Sequence, residues 1–455
     1  MRLVTQRLAL PYFQAAVGLF ILQVIAGLLG AAQYVWPGFL YGWLNFNTLK
    51  EMHLNLLVVW LLFGFMGATY YIVPEEAQAE VYSPLLARVQ FWLFLATGVV
   101  ALAGFALGHT TGRKFLELPR PLAALVVIVI LLFLFNVFMT IRKGGRWTSV
   151  LVVLVMGLVG AAAFYIPGQI PLANESMQLF YRWWTVHLWV EGVWELIMGA
   201  VLGYLLLKLT GIDREVVEKW LYVIIGLALF TGILGTGHHY YWIGTPRFWL
   251  TVGGIFSGLE PLSFLGMMFY ALQLARVGQR HHPNRVALAW TIGCAVVAFL
   301  GAGVLGLAHT FPPVNRFTHG TQITASHGHL AFFGAYAMLN LAIISYALPE
   351  LKSFREMRRA PGSVAMWTMI GSMFGMTFAL LVAGVLQTYF ERIGGLDYFT
   401  AQAYLSPWYT VRLIFGLTFL AGLLIYGYEF WRALYLAPPR APAGGSTAGS
   451  ATGEG

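Results

Sequence analysis

The sequence predicts an all-α membrane protein of about twelve transmembrane helices. Of its 455 residues, 59% are hydrophobic and only 10% are charged, against roughly 25% charged in ordinary soluble domains. Runs such as LAALVVIVILLFLF (122–135) and WTSVLVVLVMGLVGAAAFYI (147–166) suit a hydrocarbon core of about 30 Å, which takes about 20 apolar residues to cross. The 51 glycines fit the same reading, because helices in lipid associate through small residues that let their backbones approach.

Taken along the chain, the first apolar stretch, 12–35, is long enough to span rather than to act as a cleavable signal peptide. The second, 52–74, opens on His53. The third and fourth, 86–108 and 122–141, flank a loop that reads GRKFLE (112–117), and the fifth, 147–166, follows a basic turn with Arg142, Lys143 and Arg146. The sixth, 184–208, carries HLWVEGVWE (187–195), the seventh, 218–241, ends on GHHYY (237–241), and the eighth, 249–275, contains Glu260. Past the basic loop QRHHPNR (279–285), the ninth, 286–309, holds the only cysteine, Cys294. SHGHL (326–330) begins the tenth, 325–348, and the last two spans are 365–388 and 408–432. A single twelve-helix membrane domain is therefore expected over 1–436. The tail 437–455, rich in Pro, Gly, Ala and Ser without apolar periodicity, is expected to be disordered.

The formal charge of +9 does not point to nucleic acid, because the Lys and Arg residues sit in short loops between apolar spans. About 18 of them fall on the side of the termini and about 9 on the other, which by the positive-inside rule places both termini in the cytoplasm. With one cysteine inside an apolar span, the chain has neither disulfides nor a c-type haem attachment motif. Any haem would be held by coordination alone.

Ionisable residues inside spans are costly and mark function. His187 and Glu191 are four apart, so a helix turns both to one face, with Glu195 one turn further on that side. They suit one metal, although a buried hydrogen-bonded pair would look the same. His238 and His239 can both point inward if the helix end loses its regularity. His327 and His329 are two apart and project about 200° from each other on a helix, so they cannot easily serve one ion. They can serve two cofactors on opposite sides, with Gly328 leaving room for a flat macrocycle, and imidazole is a common axial ligand of haem iron. His53 then supplies the second ligand to one of the two haems.

One histidine early in the second span, one in the sixth, a pair in the seventh and H-x-H in the tenth resemble the haem-copper oxidase superfamily along nearly the whole chain. The resemblance implies a haem-copper oxidase-like bundle. By position, His53 and His329 match the axial pair of a low-spin haem b, and His327 the proximal ligand of a high-spin haem b. His187, His238 and His239 match the ligands of the non-haem metal facing it. Most oxidases of the superfamily carry a tyrosine four residues after the first metal histidine, and here that position is Glu191. Residues 223–237 contain no tyrosine either, so the variant with its tyrosine in the seventh helix is a poor match.

A carboxylate added to three imidazoles favours iron(II) over copper(I). Together with HLNLLVVWLLFGFMGATYYIVPEE (53–76), HLWVEGVWE and GLEPL (258–262), it makes the chain similar to the cytochrome c-dependent nitric oxide reductases. The resemblance implies Glu191 as an iron ligand, Glu195 as a nearby acid and Glu260 as a proton-delivery or electrostatic residue. It implies a membrane-anchored cytochrome c partner subunit, nitric oxide as substrate, a soluble cytochrome c or similar donor, and the plasma membrane of a bacterium or archaeon. That family also carries a calcium ion bridging haem propionates, with an acid in the loop after the third span. Lys114 stands at that position, which counts against calcium; its ammonium would pair with the propionates directly. His109, His309 and His319 are further candidates for hydrogen bonds to propionates, whereas His281 and His282 are expected to be solvated. The competing readings are a haem-copper oxygen reductase and, more distantly, a twelve-helix transporter.

Overall fold

The computed structural model describes residues 3–277 and 282–436; the expected disordered tail lies outside them, as does His281. Among the described residues there are helices and no strands. Twelve helices are long and apolar enough to cross a membrane: α1 Val4–Val35, α2 Phe46–Ala77, α3 Pro84–Ala106, α4 Arg120–Gly144, α5 Ser149–Gln169, α6 Glu175–Thr210, α7 Arg214–Tyr240, α8 Phe248–Val277, α9 Arg285–Thr310, α10 Gln322–Lys352, α11 Arg359–Ile393 and α12 Tyr398–Leu436. The chain is a multi-pass membrane protein. A short helix, Pro312–Thr318, links α9 to α10.

Several helices outrun the expected spans because polar caps start them early. Asn45 accepts the amide of Thr48 at 3.0 Å and opens α2 six residues before its apolar run, as a side-chain N-cap should. Asn174 caps α6 in the same way, at Met177. The 39 residues of α12 rise about 58 Å at 1.5 Å per residue, nearly twice the hydrocarbon thickness. Its first turns therefore project beyond the membrane.

Three helices form the centre of the bundle. In the most apolar window of α2, α6 and α10, 83%, 83% and 89% of residues are buried inside the protein, against 33% and 39% for α3 and α4, which leaves the outer helices to meet lipid. α11 pairs with α12 along its length, and α1 packs on both α2 and α12. At the face of the termini, bidentate Arg214 grips Glu76 at 2.7 and 2.8 Å, Lys208 and Tyr204 hold Glu75, and Arg358 and Arg432 hold the buried Glu429. These pairs close that end of the bundle around α2, α6 and α12.

Candidate functional site

His53 of α2 and His329 of α10 face each other in the half of the bundle away from the termini. Their ring centres are 6.2 Å apart and their planes are inclined by 29°, a separation that accommodates two imidazole–metal bonds of about 2 Å each plus half of each ring. A carbonyl can only accept, so His53 Nδ1–H donates to Gln23 O at 2.9 Å and His329 Nδ1–H to Ala325 O at 2.7 Å. The hydrogen bond at Nδ1 fixes each tautomer; Nε2 of His329 is left as the coordinating atom, and Nε2 of His53, which a metal would take up, accepts from the Gln23 side-chain amide at 3.2 Å. Gly27 lies against the His53 ring, where any Cβ would collide with it.

His327 points away from this pair, with its ring 6.4 Å from that of His309. Its Nδ1–H donates to Gly301 O at 3.0 Å, again leaving Nε2. The ring lines a cavity of about 330 Å³ shared with His187, Glu191, His238, His239 and Glu260. The histidines two apart on α10 thus face opposite sides of the helix.

Across that cavity, His187, Glu191, His238 and His239 offer ligand atoms that all lie within 4.8 Å of one another. His187 Nε2–H donates to Gly232 O at 2.8 Å. Its Nδ1 is buried without a hydrogen-bond partner among the described residues and sits 3.3 Å from Glu191 Oε2. Only a glycine at 232 lets α7 approach that closely, because a Cβ would strike the Glu191 backbone carbonyl. Ser257 Oγ–H is committed to Gly235 O at 2.9 Å, so it accepts from His238 Nδ1–H at 2.7 Å and leaves that Nε2 free. His239 stacks on Trp183, with centres 4.4 Å apart and planes within 10°. Both residues of the pair ride on a tight 3₁₀ turn, Thr236–Tyr240, which ends the regular helix and turns both rings inward. One orphaned imidazole nitrogen, one lone pair fixed through Ser257, a third imidazole held by stacking and a carboxylate suit a divalent transition metal.

The sixth helix departs from the expected regular register. It opens into a π turn at Trp189–Val193, where Glu191 takes φ −107°, ψ 21°; such single π turns gather at functional sites. The Val190 carbonyl accepts from Tyr336 Oη–H, which comes from a second π turn, Phe333–Ala337 in α10. Glu191 therefore joins His187, while Glu195 does not enter the metal cluster. Both Glu195 oxygens are buried without a hydrogen-bond partner among the described residues. Glu260, next to Pro261 at the break in α8, is buried and lines the same cavity as Glu191. Tyr336, Ser257 and the orienting carbonyls are not visible in the sequence, since a lone hydroxyl in an apolar run and a backbone oxygen carry no pattern.

Toward the face opposite the termini the cavity wall includes Lys114, Asn315 and His319. Burial pushes the Lys114 ammonium down to about 8, helped by Lys50 and Arg182 and opposed by Glu117. The Glu117 carboxylate is already engaged by the amide of Phe115 at 2.8 Å and by Asn55 at 3.2 Å. His309 uses both nitrogens on Thr318 and Thr324, at 3.0 Å each, and His109 is exposed. His282 is half-buried beside the Tyr346 ring, 5.7 Å between centres.

A family model described as cytochrome c and quinol oxidase polypeptide I matches residues 7–418. A nitric oxide reductase subunit of Stutzerimonas stutzeri is 48% identical over 451 residues, covering 94% of each chain. A cbb3-type cytochrome c oxidase subunit of the same organism is 25% identical over 92% of this chain and 94% of its own. A haem-copper terminal oxidase dimer solved by cryo-electron microscopy shares the fold, with a TM-score of 0.76 over 97% of this chain and 86% of that one at 14% identity.

Proposed function

We propose, from the premise that the chain belongs to the cytochrome c and quinol oxidase polypeptide I family, that it is the catalytic subunit of a respiratory nitric oxide reductase. The reaction would join two nitric oxide molecules with two electrons and two protons to give nitrous oxide and water. The observation that carries this reading is Glu191 standing beside His187 among three imidazoles, a mixed nitrogen and oxygen set that favours iron(II) over copper(I). Identity of 48% to a nitric oxide reductase subunit against 25% to an oxidase subunit supports the same choice.

On this reading His53 and His329 hold a low-spin haem b, His327 a high-spin haem b, and His187, His238, His239 and Glu191 a non-haem iron. When bound, those groups supply one-electron transfer and two neighbouring metal positions that polarise the substrate. The protein does the rest. Carbonyls of Gln23, Gly301, Ala325 and Gly232 and the Ser257 hydroxyl fix the five imidazoles they touch. Phe264, Ala302, Phe332 and Ala335 line the same cavity, exclude water and keep both reactants together, which replaces a bimolecular encounter by a local one. Glu260, buried on the wall of the same cavity as Glu191, is placed to hold a proton beside the reacting atoms. Glu195, one turn deeper and unpartnered among the described residues, is the second acid. Electrons come from a membrane-anchored cytochrome c subunit fed by a soluble cytochrome c or similar donor. The chain lies in the plasma membrane of a bacterium or archaeon with its termini in the cytoplasm.

Metal and haem analysis of the purified complex, with nitric oxide consumption driven by reduced cytochrome c, tests the proposal. Haem b with non-haem iron and no copper is the expected result. Copper in place of iron, with oxygen as the preferred substrate, would replace the reading by an oxygen reductase, and absence of haem bands would revive a transporter. In the same assay Glu191→Gln should keep both haem spectra and lose the non-haem iron or nearly all turnover. Full iron and full activity in that variant would remove Glu191 from the ligand set.

A further inference from the structure

Arg412 lies inside α12, within the membrane-spanning part of the bundle, where an arginine is expensive and normally pairs with an acid. Among the described residues no carboxylate pairs with it; its guanidinium carbon sits 5.2 Å over the ring of Tyr34. The surrounding groups are neutral. Tyr34 packs on Tyr409 with ring centres 4.6 Å apart, the Tyr409 hydroxyl donates to Gln402 at 2.5 Å, and Gln322 donates to that hydroxyl at 3.3 Å. The nearest acid of that corner, Glu391, is taken up by Gln387 at 3.0 Å and Gln402 at 3.3 Å.

Its height in the bundle follows from helix packing. Gly416 of α12 abuts Leu28 of α1, the residue after Gly27, which lies under the His53 ring. Arg412 is one helical turn, about 6 Å at 1.5 Å per residue, nearer the face opposite the termini. A half-buried cation with no counter-ion among the described residues thus sits just beyond the facing imidazoles.

We propose that Arg412 is a positioning and redox-tuning residue for the haem that His53 and His329 would hold: its guanidinium is the counter-ion of a haem carboxylate and a fixed positive charge that favours reduced iron. The inference rests on reading those two histidines as haem ligands. Haem is a dicarboxylate, and guanidinium pairs with a carboxylate more strongly than any neutral group around it. Because reduction removes one positive charge from the iron, a nearby cation in a region of low dielectric makes it easier.

Spectroelectrochemical titration of the purified complex tests this through the low-spin haem band, with the high-spin haem as internal reference. Arg412→Gln and Arg412→Met should make reduction of the low-spin haem at least about tenfold less favourable, a fall of about 59 mV for one electron, while the high-spin haem moves less. Arg412→Lys, which restores the charge, should return most of the shift. An unchanged low-spin potential in Gln and Met variants with full haem content would overturn the proposal. So would equal loss of the haem in the Lys and Gln variants, since that marks a steric role. A wild-type complex without a low-spin haem spectrum would instead overturn the ligand assignment of His53 and His329, and this inference with it.

Discussion

Lys114 stands in the loop between α3 and α4, and its surroundings bear on what a lysine does there. It stands on the cavity wall with Lys50 and Arg182 near enough to oppose its charge, and burial pushes its ammonium down to about 8. A haem carboxylate across from it would pull that value back up, because an opposite charge favours the ionised form. On the proposed haem reading the ammonium would do the work of a divalent ion, with no ligand to spare because Glu117 is held by Phe115 and Asn55. Chelators should therefore leave the haem spectra and turnover of the wild type unchanged. Lys114→Glu should create a dependence on added calcium, seen as activity lost to chelator and recovered on adding the ion. A wild-type complex that loses haem absorbance to chelator would show that the lysine has not replaced the cation.

At the scale of the helix, the π turns carry the site. Tyr336→Phe removes the donor to the Val190 carbonyl, a loss of about 0.5–1.5 kcal/mol for one hydrogen bond. The π turn holding Glu191 should relax toward a regular helix, so the variant is expected to melt lower and carry less non-haem iron while both haem spectra persist. Unchanged iron content would separate Tyr336 from the metal site. This also marks where sequence reasoning stops. The twelve helices are legible from apolar runs, and the opposed faces of His327 and His329 from their spacing of two, because both depend on local periodicity. The same periodicity puts Glu195 one turn beyond Glu191 on the same side, where it lines the cavity outside the ligand group, but it does not foresee the widened turn at Glu191. The turn is stabilised by a hydroxyl 146 residues further along the chain, a contact that no local pattern encodes. The early starts of α2 and α6 elude the apolar windows for a smaller reason: the asparagines that cap them lie outside those windows.

Across the whole molecule, His53, His187, His238, His239, His327, His329 and Glu191 gather in the half of the bundle away from the termini, while the other half is closed. The segments MGAVLGYLLL (198–207) and FFGAYAMLNLAIISYAL (332–348) contain no carboxylate or lysine, and they belong to central helices whose apolar windows are more than four-fifths buried. Where acids do occur at that end, Glu75, Glu76 and Glu429 are already tied to Lys208, Arg214, Arg358 and Arg432. On the proposed reading, with cytoplasmic termini, electrons and protons would both reach Glu191, Glu195 and Glu260 from the outside. Carrying one charge through the membrane field is worth about 2.3 kcal/mol per 100 mV, so taking both from one side makes turnover electrically silent. Vesicles reducing nitric oxide with an external donor should develop no potential, as read by a voltage-sensitive dye; a clear voltage, or proton uptake from the interior during a single turnover, would mean a path through the closed half. The ion-paired end has one more consequence. A catalyst whose charges never cross the field feels no back-pressure from it, so its rate should be the same in a fully energised membrane and in one collapsed by an uncoupler, and the free energy of the reaction leaves as heat.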